Sequence, residues 1–207
     1  MKNPLRYQMS EYDCGPTTML NAISYLFPRE IISPEVIRNI MLYSLDSYGS
    51  EGVMGKRGTS SAAMMFLCNW LNGYGKIGDL HVSGRYLSGK SVYLGEGGYI
   101  NDALHRGGVV VLRLLFDGGH YVLLTGERDG KIFMFDPYYQ EGAFEQEDII
   151  VTENEPFSYN RIVPEGYFNR EEDGIYSLGP YEDREAVLLF NEDTRMTSDG
   201  TIEYFIE

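Results

Sequence analysis

The first hundred residues carry apolar positions at helical spacing, and the next hundred carry them in strand-like runs. Met19, Leu20, Ile23, Leu26 and Phe27 recur at intervals of three and four, which predicts an amphipathic helix over the stretch that begins near Asp13. Pro16 suits its first turn, Asp13 suits the N-cap with a carboxylate accepting from the open amides, and Pro28 ends it. A second helix is predicted from the segment SPEVIRNIMLYSL. Ser33 is its cap, Pro34 lies in its first turn, and Val36, Ile37, Ile40 and Met41 share one face. After a glycine-rich loop, TSSAAMMFLCNWLNGYG reads as a third helix, capped near Thr59 and closed by Gly73 or Gly75.

The period then changes. YINDALHR is a short helix that leads into GGVVVLRLLF, a β-branched run of the kind found in buried strands. HYVLLTG and KIFMFD are two further strands, joined through Asp129-Gly130, a strong hairpin signal. EAVLLFN and TIEYFIE complete the strand-like segments, with RMTSDG as a turn region between them. Residues 140–185 show no clear period. Helices followed by an antiparallel sheet make an α+β arrangement. The 207 residues, 43% of them hydrophobic, suffice for one domain with its own core.

Charge divides the chain. The whole net charge of −14 resides in residues 140–207, where eighteen Asp or Glu stand against four Arg. The first 139 residues are balanced. We therefore expect a single domain in which a core, 1–139, carries an acidic elaboration, 140–207, packed on it through EAVLLFN and IEYFIE. An acidic face disfavours nucleic acid, whose phosphates need a basic surface, and suits a basic peptide or partner. Two cysteines make no disulfide framework, and no run of apolar residues is long enough for a membrane span. The expectation is a reduced, cytoplasmic protein.

The two cysteines differ in setting. Cys68 lies within the third helix among Phe66, Leu67, Trp70 and Leu71, and reads as inert packing. Cys14 stands at the tip of the first helix, where the macrodipole favours a thiolate. A thiol there becomes a useful nucleophile when an imidazole takes its proton. The candidates are His81 ahead of a strand, His105 in the short helix, and His120, which opens a strand after Asp117-Gly118-Gly119. The hairpin that follows His120 returns to Asp136, which brings residues 120 and 136 to the same end of two paired strands. A carboxylate there would fix the tautomer of the imidazole and stabilise its charged form.

These blocks resemble a known signature. QMSEYDCGPTTML is similar to the active-site motif of the double-glycine leader peptidases, papain-like cysteine peptidases that process bacteriocin precursors. Their pattern is a Gln, four residues, then Asp-Cys-Gly opening the first helix, here Gln8, Met9 to Tyr12, and Asp13-Cys14-Gly15. The family's His opens a strand and is followed by a hairpin that ends in Asp-Pro, matched here by GGHYVLLTG and KIFMFDP. The resemblance spans residues 7–137 and is specific at these two blocks. It implies a papain-like fold, Cys14 as nucleophile, His120 as base, Asp136 as its orienter and Gln8 as oxyanion donor. It also implies a peptide or protein substrate and no metal or cofactor. The best-known members are fused to membrane-spanning and nucleotide-binding domains, so this chain is expected as a stand-alone member.

The expected activity is that of a cysteine peptidase, a thiol hydrolase of a peptide or amide bond. Acyl transfer by the same Cys-His-Asp set, in which an amine resolves the thioester, is the alternative within enzymes. A peptide-binding or regulatory module that keeps the fold without the chemistry is the alternative outside them. A metal site of Cys14, His120 and Asp136 is the least favoured, because a structural zinc site takes a fourth protein ligand.

Overall fold

The computed structural model describes residues 1–116 and 118–197. Among them are four α-helices and one seven-stranded antiparallel sheet, an α+β architecture. The helices are α1 (Cys14–Leu26), α2 (Pro34–Ser44), α3 (Ser61–Gly75) and α4 (Tyr99–His105). The strands are β1 (Val82–Ser88), β2 (Val109–Leu115), β3 (Gly119–Arg128), β4 (Lys131–Phe135), β5 (Ile150–Val151), β6 (Arg161–Pro164) and β7 (Glu185–Asn191), in the spatial order β1-β7-β2-β3-β4-β6-β5. The run TIEYFIE lies outside the described residues. No helix among the described residues is long and apolar enough to cross a membrane.

Alternation along the strands builds two cores, one on each face of the sheet. Tyr121 and Leu123 of β3, Val109 and Val111 of β2, and Val187 and Leu189 of β7 meet Met19, Ile23, Leu67 and Leu71 from α1 and α3. The intervening positions Val122, Leu124, Val110, Leu112, Ala186 and Leu188 face the other way, against Ile100 and Leu104 of α4 and against Phe168, Tyr176 and Leu178. Residues 140–197 thus form much of the second layer. They also enter the sheet, because β7 pairs with β1 on one side and β2 on the other. Every residue of β7, the segment EAVLLFN, is buried, as an inner strand must be.

Local signals account for most elements, with three corrections. Asp129 and Gly130 both take positive φ, 53° and 69°, the pair of left-handed residues that a tight I′ hairpin needs. Helix α3 is capped by Ser60 rather than Thr59; its side chain accepts from the Ala63 N–H. In α2, Ser33 caps as expected and Val36 and Ile40 are buried, but Ile37 and Met41 are exposed. That helix packs at the periphery against α1 and α3, so it buries a narrower stripe. The third correction concerns Asp13 and belongs to the site.

Candidate active site

Cys14 is the first residue of α1, and Asp13 occupies the N-cap position, but its carboxylate makes no capping bond. It turns back on the preceding loop instead. It accepts from the Met9 N–H at 3.0 Å, the Ser10 N–H and hydroxyl at 2.6 Å each, and the Thr17 hydroxyl at 3.3 Å. Burial pushes the Asp13 carboxyl up, but these bonds outweigh it and hold the group below its ordinary value. The consequence is chemical. The Asp13 carboxylate does not cap the positive end of α1, so its dipole acts on Cys14.

Gly15 is required beside it. A Cβ there would fall 2.2 Å from the Thr59 hydroxyl oxygen, so only glycine lets the tip of α1 close against the segment leading into α3.

His120 is the second residue of β3, and Asp136 directly follows β4. The last pair of that ladder is Leu123 with Phe135. One further step of the register sets Asp136 across from Val122, on the same face as His120 and two residues away. The His120 Nε2 and Asp136 Oδ1 are 2.7 Å apart. Cys14 lies near enough to the same imidazole to act on it, helping to push its pKa up. With Nε2 engaged by Asp136, Nδ1 is the ring nitrogen left for the sulfur. Cys14, His120 and Asp136 are 7%, 6% and 1% exposed, so all three act in a low-dielectric setting where charge pairing is strong. Burial alone would lower the pKa of His120. The charge and hydrogen bond of Asp136, and then those of Cys14, overcome it and push the imidazole up to about 10. The arrangement therefore favours the charged form of the imidazole.

Asp136 is held from all sides. Its Oδ1 also accepts from the Tyr138 N–H at 2.9 Å, and its Oδ2 accepts from the Tyr176 hydroxyl at 3.0 Å. The side-chain amide of Asn160 brackets its backbone, accepting from the Asp136 N–H and donating to the Asp136 carbonyl, each at 2.8 Å. On the opposite face of β3, Tyr121 packs toward α1. The Thr18 hydroxyl donates to its carbonyl at 3.0 Å, and its own hydroxyl donates to the buried Glu185 at 2.6 Å. Glu185 accepts in addition from Tyr86 at 2.8 Å and Ser61 at 3.1 Å, which ties β1, β3, β7 and α3 together below Cys14.

Gln8 is brought to the same corner. Its backbone N–H donates to the Pro137 carbonyl at 2.8 Å, which ties the N-terminal segment to the end of β4. Its side-chain Nε2 donates to the Ser10 carbonyl at 2.7 Å, and its Oε1 is buried without a hydrogen-bond partner. One N–H of the amide is thus engaged in its own loop and the other is available. A cavity of about 230 Å³, bordered by Gln8, Met9, Ser10, Glu11, Tyr138 and Tyr139, opens beside it.

The other two histidines also pair with carboxylates, but in solvent. His81 lies 2.9 Å from Asp193 and His105 lies 2.6 Å from Glu127, with the imidazoles 54% and 61% exposed. Among the described residues, no three or more His, Cys, Asp and Glu side chains converge as a metal-binding group.

Tyr176, Asn160, Arg161, Tyr121 and Glu185 were not legible as site residues. Each reaches the site through a contact distant in sequence, and no motif marks them. A scan against protein-family models found no match for the chain, and a search of curated proteins found none either.

Proposed function

We propose that the protein is a thiol hydrolase of papain-like fold that cleaves a peptide or amide bond, similar in its catalytic set to the double-glycine leader peptidases. One observation carries this reading. A buried imidazole lies between a helix-tip thiol and a buried carboxylate, and the three come from parts of the chain that only the fold brings together.

The chemistry follows from the placement. Cys14 Sγ, as thiolate, bonds to the carbonyl carbon of the substrate, and the carbonyl electron pair moves to oxygen. The Cys14 backbone N–H, at the uncapped tip of α1, and the available N–H of Gln8 receive that oxyanion; one such donor is worth on the order of 10²–10³ in rate. His120 passes its Nδ1 proton to the leaving nitrogen as the C–N bond breaks, which leaves an amine and a thioester. Neutral His120 then takes a proton from water, hydroxide adds to the thioester carbon, and the thiolate departs to restore the starting pair. Asp136 fixes the tautomer and stabilises the charged ring throughout. Cytoplasmic residence, and a basic stretch of substrate drawn by exposed carboxylates such as Glu141, Glu147 and Glu153, belong to the same proposal.

The test is a panel of peptide aldehydes and chloromethyl ketones, read by intact mass and peptide mapping. The expected result is one adduct, on Cys14, lost in Cys14→Ala. Adducts on neither cysteine, or equally on Cys14 and Cys68, would overturn the proposal.

A further inference from the structure

We infer that Tyr176 is a fourth member of the relay, a positioning residue whose phenol shares the charge that Asp136 presents to His120. The inference rests on the thiol-hydrolase reading for its purpose, and its geometry stands by itself. The two oxygens of Asp136 have different duties. Oδ1 faces the imidazole and the Tyr138 N–H, and Oδ2 receives the Tyr176 hydroxyl. Asp136 and Tyr176 are 1% and 0% exposed, so water does not replace either partner.

Tyr176 reaches this position at a conformational cost. Its φ is +58°, in the left-handed region that a bulky side chain avoids and keeps only where its surroundings over-determine it. The constraints are visible. The Tyr176 N–H donates to the Leu115 carbonyl at 2.9 Å, and the Leu115 N–H donates to the Ser177 carbonyl at 2.7 Å, so the turn is stitched to the end of β2. The ring stacks on Phe116 at 5.6 Å and meets the edge of Phe144 at 5.8 Å. Phe116 in turn lies 5.9 Å from the ring of His120.

The buried guanidinium of Arg161 donates to the carbonyls of Asn160 and Tyr138, and its charge acts on the same phenol against the pull of Asp136. The phenol therefore donates to an anion in a pocket that also holds a buried cation. Burial and the charge of Asp136 keep it protonated well above the ordinary tyrosine range, so it acts as a donor at every working pH. Among the described residues, the groups that titrate or carry charge around the relay are Cys14, His120, Asp136, Tyr176 and Arg161, with Tyr121, Glu185 and Arg113 on the α1 side of β3. Tyr176 and Arg161 both come from the acidic third of the chain, so that third supplies part of the site.

The test is Tyr176→Phe, which keeps the ring and removes the hydroxyl, with the imidazole of His120 followed by nitrogen-15 NMR across pH. A donor on Oδ2 draws charge away from Oδ1, so its loss leaves more for the imidazolium. The titration midpoint of His120 should rise by about half a unit, and the same substitution in an Asp136→Ala background should move it no further. An unchanged midpoint, a fall, or an equal shift without Asp136 would overturn the inference. If Tyr176→Phe does not fold, 3-fluorotyrosine placed at 176 is a stronger donor of the same shape and should lower the midpoint; no movement there would also overturn it. The measurement uses no substrate. A shift in a protein that cleaves nothing would sink the hydrolase and leave the linkage, and cleavage without a shift would do the reverse.

Discussion

Cys14 and Cys68 share one apolar cluster, on neighbouring helices, and both are nearly fully buried. Their surroundings still differ. Cys68 lies eight residues into α3 and abuts the backbone of Gly84, where an added Cβ would stand 3.1 Å from its sulfur. Burial pushes its thiol up to about 12, because nothing nearby stabilises the thiolate. Cys14 begins its helix and touches an imidazole that Asp136 keeps charged. Burial by itself makes a thiol inert. Burial with a helix terminus and a charged ring is the setting that the proposed nucleophile requires, because the same low dielectric strengthens the pairing.

The largest expected effect breaks the comparison at the sulfur atoms. Cys14→Ala should lower amide cleavage by about 10³-fold or more, since the covalent route is gone. Cys68→Ala should keep cleavage within about threefold and cost about 1 kcal/mol of stability, the scale of one small buried group removed. Comparable losses from both variants would mean that Cys14 is also a packing residue.

A smaller effect sharpens the comparison at the ring. His120→Ala should slow iodoacetamide labelling of Cys14 at pH 6 by about two orders of magnitude, because an ordinary thiol of pKa near 8.5 is less than about 1% ionised there. Cys68 should stay unlabelled in both proteins while they are folded. Stability gives a second readout with a definite sign. The His120 pKa is raised on folding, so its contribution is full below the unfolded value near 6.5 and is lost as pH rises toward about 10. The wild type should lose more Tm between pH 6.5 and 10 than His120→Ala does. An equal or smaller loss would show that the imidazole is not held charged.

The parts of this site that the sequence announced are local ones. Asp13-Cys14-Gly15 marks a helix start, and Asp129-Gly130 fixes the hairpin that carries His120 and Asp136 to one end. The order of strands was not legible, because the insertion of β7 between β1 and β2 depends on partners 74 to 109 residues away. The same reason hid Asn160 and Tyr176, which meet Asp136 across 24 and 40 residues. Asp13 shows another limit. Its position at the N-cap was readable, but the choice between helix amides and the Met9–Ser10 loop depends on how that loop folds back. Gln8 falls between these cases. Its place at the corner follows the motif, while the direction of its amide is set by Ser10.

The smallest expected effect concerns the two helix tips themselves. Helix α3 begins with a working cap: the Ser60 hydroxyl accepts from the Ala63 N–H at 3.1 Å, and the Ser60 N–H donates to Asp46 at 2.8 Å. Helix α1 begins with a carboxylate turned away and a cysteine in the open position. One tip is closed by its cap, and the other is open where the proposed chemistry needs it. Ser60→Ala should therefore cost about 1 kcal/mol, the usual value of a lost N-cap, and leave the rate of Cys14 labelling unchanged. The closed tip and the open tip lie close together, since Gly15 packs on Thr59. A fall in labelling that exceeds the loss of stability would show that the α3 cap also holds the tip of α1 in place, and that the two ends work as one unit.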